Sequence, residues 1–144
     1  MRKLVHLGIA VASIAEARRF WEALGLAVER IEEVPHEGVR VALLPLGEAR
    51  LELIEPTDAD SPVARFLAKR GPGIHHVCLA SDDLAADDAA LRAAGVELLR
   101  AAPTAGAGGA RVQFVHPTSA GGVLVELAEP ASHGAARPGE ESAR

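Results

Sequence analysis

Tyrosine is absent from this chain of 144 residues, and tryptophan, methionine and cysteine occur once each. Aromatics amount to 3%, so a core must come from Leu, Val, Ile and Ala, and an apolar fraction of 49% is enough to build one. The single cysteine, Cys78, excludes an internal disulfide framework and suits a reducing compartment. A formal charge of −5 lacks the basic footprint that phosphate backbones require, so no nucleic-acid partner is expected. No apolar run reaches the ~18–20 residues of a membrane-spanning helix, so no membrane partner is expected either. Arg2-Lys3 followed by Leu4 to Ala12 imitates a signal peptide. The same pattern recurs at 74–80, where no signal can lie, so it reads as a strand and the expected location is the cytoplasm.

What the chain has instead is a duplication. Val5-His6-Leu7-Gly8-Ile9-Ala10 returns as His75-His76-Val77-Cys78-Leu79-Ala80, an offset of 70. Leu51-Glu52-Leu53-Ile54-Glu55-Pro56 returns as Val125-Glu126-Leu127-Ala128-Glu129-Pro130, an offset of 74. Each copy opens with a histidine in a strand-like run and closes with a glutamate in another.

The first run alternates. Val5, Leu7, Ile9 and Val11 fall on one face and call for a covering helix, while His6, Gly8 and Ala10 leave an open floor on the other. Val77 and Leu79 oppose His76, Cys78 and Ala80 in the same way. Ser13-Ile14-Ala15-Glu16 has the form of a capping box, and Gly25 stands where a helix should end. Asp82 or Asp83 caps the second copy, and Gly95 ends it at the same offset of 70. Strands are expected at 26–34, 39–45 and 49–55, and less distinctly at 96–100, 111–116 and 123–129. The fold class is therefore α+β, built from two βαβββ modules. The first spans 1–58, a linker with a short helix 59–72, and the second 73–130. The tail 131–144, rich in Ala, Gly, Pro and charge, is expected to be disordered.

His6, Glu52, His76 and Glu126 are the candidate metal ligands. Alternation turns both glutamates away from their apolar neighbours, toward the face of the histidines. Imidazole and carboxylate together suit a divalent ion such as Co, Mn, Ni, Zn or Fe. His75 falls on the opposite parity from His76, with Val5 at its place in the first copy, and is not expected to ligate. His116 ends a strand and reads as a turn cap, with a substrate contact as the alternative, and His133 lies in the tail. Cys78 reads as a small wall residue, because no partner base is evident. The glycine-rich stretch 104–110 opens no clear helix and reads as a flexible loop rather than a phosphate cradle.

The order and spacing of these segments resemble the vicinal oxygen chelate (glyoxalase-like) superfamily, and within it the methylmalonyl-CoA epimerase family. The stretches that carry the resemblance are 5–11, 47–56, 61–67, 73–77 and 116–127, so it covers about residues 4–130. It implies an isomerase that inverts the carbon between a carboxylate and a thioester, through an enolate stabilised by a divalent metal. It implies His6, His76 and Glu126 as ligands and Glu52 in a fourth position that some relatives fill with Gln. Co2+ is the first expectation, with Mn2+, Ni2+ or Zn2+ as alternatives, an acyl-CoA as substrate and a homodimer as the assembly. The family also carries a functional glutamate one residue ahead of a Gly-Val pair, in the form E-x-G-V. Here Pro35-His36-Glu37-Gly38-Val39 shifts that glutamate by one residue, so Glu37 and His36 are both candidate acid/base groups, with Glu126 for the opposite face. In an unbroken strand His36 points inward and Glu37 outward; a bulge before Gly38 reverses this. Glyoxalase-type or ring-cleaving dioxygenase chemistry, or binding without turnover, are the competing readings.

Overall fold

The alternating runs, once paired, form one mixed sheet. A computed structural model describes residues 2–131; the expected disordered tail from 132 onward, with His133, lies outside the described residues. The first half is β1 (Leu4–Ala10), α1 (Ile14–Ala23), β2 (Arg30–Val34), β3 (Val39–Leu46) and β4 (Ala49–Pro56). A connecting helix α2 (Pro62–Arg70) leads to β5 (Gly73–Ala80), α3 (Leu84–Ala93), β6 (Thr104–Ala105), β7 (Arg111–Val115) and β8 (Val125–Glu129). The eight strands run in the order β2-β3-β4-β1-β5-β8-β7-β6, so the two halves meet where β1 lies antiparallel to β5. Among the described residues no helix is long and apolar enough to cross a membrane.

The helices start where their caps predict. Ser13 accepts from the Glu16 amide, and Asp83, of the two aspartates available, accepts from the Ala86 amide. Gly25 and Gly95 follow the two helices with φ of 90° and 79°, which a side chain resists. Helix α1 covers the outer face, as Ile14, Ala17 and Trp21 close over Leu7, Ile9, Leu44 and Leu53. Helix α2 covers part of the inner face, where Val63, Phe66 and Leu67 pack with Val34, Val41 and Ile54.

Two expectations change. The strand expected at 96–100 is reduced to a single bridge between Leu98 and Val115, and the paired residues are Thr104 and Ala105. Two backbone bonds remain, from Leu99 N–H to Phe114 O and from His116 N–H to Glu97 O, and side chains take over beyond them. Arg92 donates to the carbonyls of Arg100 and Ala101 at 2.7 and 3.1 Å, and Gln113 donates to Arg100 O at 3.0 Å. With its acceptors satisfied and Pro103 lacking an N–H, the segment does not extend the sheet. The glycine-rich stretch is correspondingly structured. It contributes β6 and a tight turn whose Gly108 amide donates to Glu32 at 2.7 Å. Since β2 and β6 are the two ends of the strand order, this contact shows that the sheet curls until its edges meet.

The second change is at the seam. Leu4 pairs with Leu79 and His6 with Cys78, so Val5 is an extra residue on β1. Gly8 pairs with His76 and Ile9 with Ile74, so His75 is an extra residue on β5. Val5 and His75 are equivalent in the repeat, and the two bulges are equivalent as well. A bulge breaks the period of two. Val5 therefore leaves the outer face and packs beside Cys78, Val112 and Phe114.

Candidate metal centre and active site

Strand register places the candidate ligands in two adjacent rows on the concave face. One row crosses Arg50, His6, Cys78 and Glu126 on β4, β1, β5 and β8. The next crosses Glu52, Gly8 and His76. Gly8 is there because a side chain does not fit: a Cβ built on it would lie 2.2 Å from Cε1 of His76. The ring occupies the space that the glycine vacates.

Three of the four expected ligands, His6, His76 and Glu126, converge on one point. His6 Nε2 lies 2.9 Å from His76 Nε2 and 3.2 Å from Glu126 Oε2, and His76 Nε2 lies 2.8 Å from the same oxygen. Glu52 stands on the other side of the His6 ring, with Oε2 2.7 Å from Nδ1. All four are buried, with exposures of 4–7%. Cys78 Sγ belongs to the same group, and donor atoms of His6, Cys78 and Glu126 all lie within 4.8 Å of one another.

This group fits a divalent cation. Donors at ~2.1 Å from an ion, set at right angles, are about 3.0 Å apart, and the His6–His76–Glu126 triangle has edges of 2.8–3.2 Å. The Glu52–His6 contact is close but out of line for a hydrogen bond, and it leaves His6 Nδ1 and Glu52 Oε2 buried without a hydrogen-bond partner. Such atoms are costly unless something binds them. Electrostatics agree. Burial alone lowers the basicity of His6, but the contacts with Cys78, Glu126 and Glu52 outweigh it and push its pKa up to about 12. Burial alone raises Glu126, but His6 and His76 outweigh that and hold it at about 2. Two buried carboxylates demand positive charge, which a bound proton or a metal ion can supply. Burial pushes the Cys78 thiol up.

The centre opens into a cavity of about 560 Å³, within the ~300–1,000 Å³ usual for small-molecule sites. His36 and Glu37 both line it. They belong to a 3-10 turn closed by Gly38 at φ 64°, not to a strand, so the inward-or-outward choice between them does not arise. Glu37 accepts from Arg100 at 3.0 Å, and the His36 ring meets the Ala105 carbonyl. Arg100 lies 4.9 Å from the Phe114 ring centre. The turn of the first half is thus fastened to the second half over the cavity. His75 lines the cavity too, with Nδ1 3.0 Å from His76 Nδ1. The bulge, not its parity, put it there. Burial and then the charge of His76 lower its pKa to about 4, which keeps it neutral. His116 does what its position suggested and accepts from the Thr118 amide at 3.1 Å. Arg100 and Arg50 are the cavity residues that sequence reasoning missed. Arg100 gave no signal, being 63 residues from Glu37, whereas Arg50 shares the parity of Glu52 and was open to the same argument.

Comparison with known proteins identifies the family. The family described as the Glyoxalase/Bleomycin resistance protein/Dioxygenase superfamily matches residues 5–114. The chain is 46% identical to the uncharacterized protein YqjC of Bacillus subtilis, covering 81% of this chain and 84% of that one. It is 37% identical to the ethylmalonyl-CoA/methylmalonyl-CoA epimerase of Cereibacter sphaeroides, over 80% of this chain and 88% of that one. A solved methylmalonyl-CoA epimerase in complex with methylmalonyl-CoA and NH4+ superposes with a TM-score of 0.88 at 37% identity, covering 92% of this chain and 96% of the other. The curled eight-stranded sheet, its paired halves and these relatives together place the chain in the glyoxalase/bleomycin resistance protein/dioxygenase superfamily, among its methylmalonyl-CoA epimerase-like members.

Proposed function

We propose that this protein interconverts (R)- and (S)-methylmalonyl-CoA as a metal-dependent epimerase. The observation that carries the proposal is the His6–His76–Glu126 triangle, with edges near 3 Å, at the bottom of a cavity wide enough for an acyl thioester. A divalent ion held there, with cobalt the first candidate, supplies Lewis-acid stabilisation of the negative charge that develops on the thioester oxygen.

The chain's own residues supply the rest. His6, His76 and Glu126 hold the ion, and Glu52 closes the set from behind His6. The α-proton leaves to a carboxylate on one face of the carbon, giving a planar enolate, and a proton returns from the opposite face. Glu37 is the group on the first face, oriented by Arg100; His36 beside it is the alternative. Glu126 serves the second face as a carboxylate that takes the α-proton of the opposite epimer; to return a proton to the enolate it must first be protonated. The apolar lining from Val39, Val41, Ile54 and Leu124 excludes water, which strengthens each of these interactions. The proposal extends to a homodimer acting in the cytoplasm. The His6–His76–Glu126 triangle is also the two-histidine, one-acid set of iron dioxygenases; the second acid, Glu52 beside His6 Nδ1, and the likeness to epimerases favour the epimerase.

The test is proton NMR of methylmalonyl-CoA in deuterium oxide with cobalt-loaded protein. The α-hydrogen signal should disappear, and the protein should hold one metal per chain. A persistent signal at full metal loading refutes the epimerase.

A further inference from the structure

The geometry points to Arg50 as the residue that selects a carboxylate-bearing acyl group over a simple one. This rests on the epimerase reading and names a specificity determinant within the same site.

Arg50 lies on β4 in the row that contains His6, one strand away, and two residues before Glu52, on the same face. It lines the cavity. Its Nε is shut off from solvent and has no hydrogen-bond partner among the described residues. No partner among the described residues holds this N–H, so the guanidinium can turn its donors toward an acceptor that enters the cavity. The other cavity cations are differently placed. Arg100 is committed to Glu37, and Lys3 is exposed.

Charge counting says what the acceptor is. Of the cavity carboxylates, Glu37 is paired with Arg100 and Glu48 is exposed, which leaves Glu52 and Glu126 to balance a divalent ion. An acyl group with its own carboxylate brings one more negative charge into a buried site, and a simple acyl thioester does not. A planar guanidinium beside His6 offers the balancing charge and the forked donors that a carboxylate takes. Arg50 therefore binds the carboxylate of the acyl group. A phosphate of the CoA portion presents the same chemistry, so the test must separate the two.

Calorimetry on cobalt-loaded protein does so with three ligands: methylmalonyl-CoA, propionyl-CoA, which lacks the carboxylate, and free CoA. Arg50→Met should weaken methylmalonyl-CoA by about 10–100-fold while leaving the other two within about twofold. Arg50→Lys, which keeps the charge and loses the fork, should fall between Met and wild type. Cobalt affinity, titrated without CoA ligands, should be unchanged in both variants. An equal loss for all three ligands would make Arg50 a phosphate contact and overturn the assignment. Lost cobalt affinity would make it a support for Glu52 and would likewise overturn the assignment, as would no change at all. If the unmodified protein does not prefer methylmalonyl-CoA to free CoA, the epimerase reading itself fails, and this is seen before any variant is made.

Discussion

Replacing Gly8 by Ala adds one methyl group, and the structure says where it goes. The new Cβ would lie 2.2 Å from Cε1 of His76, 2.4 Å from Nδ1 and 2.7 Å from Nε2. Ordinary contact begins at 3.4 Å, so the ring must retreat by about 1.2 Å from its nearest atom. Metal–ligand bonds tolerate only about ±0.2 Å, so His76 cannot both clear the methyl and keep its place in the triangle. Disturbing a ligand's support typically costs 10–100-fold in affinity, and here the ligand itself is displaced. We expect Gly8→Ala to weaken cobalt binding by about 100-fold or more, ~2.8 kcal/mol. Crowding should also lower stability by about 1–3 kcal/mol, so a urea transition must show that the variant is folded where metal is titrated. Gly73→Ala, at the start of β5, is the control, because a Cβ there meets nothing within 4 Å. A folded Gly8→Ala protein that binds cobalt within twofold of wild type, with the control equally unaffected, refutes the steric argument and the place of His76 in the site.

Other outcomes follow from the same geometry. His76→Ala should abolish stoichiometric metal, whereas His75→Ala should keep it and alter only substrate affinity, as metal analysis of the purified variants will show. Glu37→Gln should reduce epimerisation by at least about 100-fold with metal content unchanged, and His36→Asn by less. Near-full turnover in Glu37→Gln alongside a large loss in His36→Asn would reverse their roles. Asp87 is held at about 2 by its hydrogen bonds from Arg2 and then Ser81. The depressed pKa stabilises the fold above the ordinary value of 3.8, and this contribution is lost as pH falls toward 2. The ion pair is solvent-screened, so Asp87→Asn should cost only ~0.5–1 kcal/mol at neutral pH and flatten stability between pH 4 and 2 in acid-denaturation curves.

The candidate ligands were legible because duplication and alternation are local properties of a sequence. A histidine and a glutamate flanked by Leu and Val in each copy already share a face, and the fold had only to bring the two copies together. The helix starts were legible for a similar reason, since Ser13 and Asp83 bond to amides three residues away. Parity failed at Val5 and His75, because a bulge inserts a residue where one strand meets another, and a single strand does not record what its partner will do. The strand near 96–100 ends early because Arg92 and Gln113, on other elements, take the carbonyls of Arg100 and Ala101. Glu37 was found through resemblance alone, and its partner Arg100 belongs to the other half.

The seam between β1 and β5 carries a consequence for how such a chain can change. Gly8 faces His76, and Cys78, its counterpart in the repeat, faces His6. Two separate identical modules joined along this edge would form a symmetric pair around the ion, and any residue beside one histidine would stand beside the other. They would have two glycines or two cysteines, never one of each. Fusion into one polypeptide removes that constraint. One histidine can rest on bare backbone while the other is flanked by a thiol, and one bulge can carry Val5 while the other carries His75. The two sides of the ion are thereby made unlike, so the groups that meet the two faces of a bound carbon are free to differ. Symmetry breaking within a duplicated scaffold makes the faces chemically distinct without building a second site.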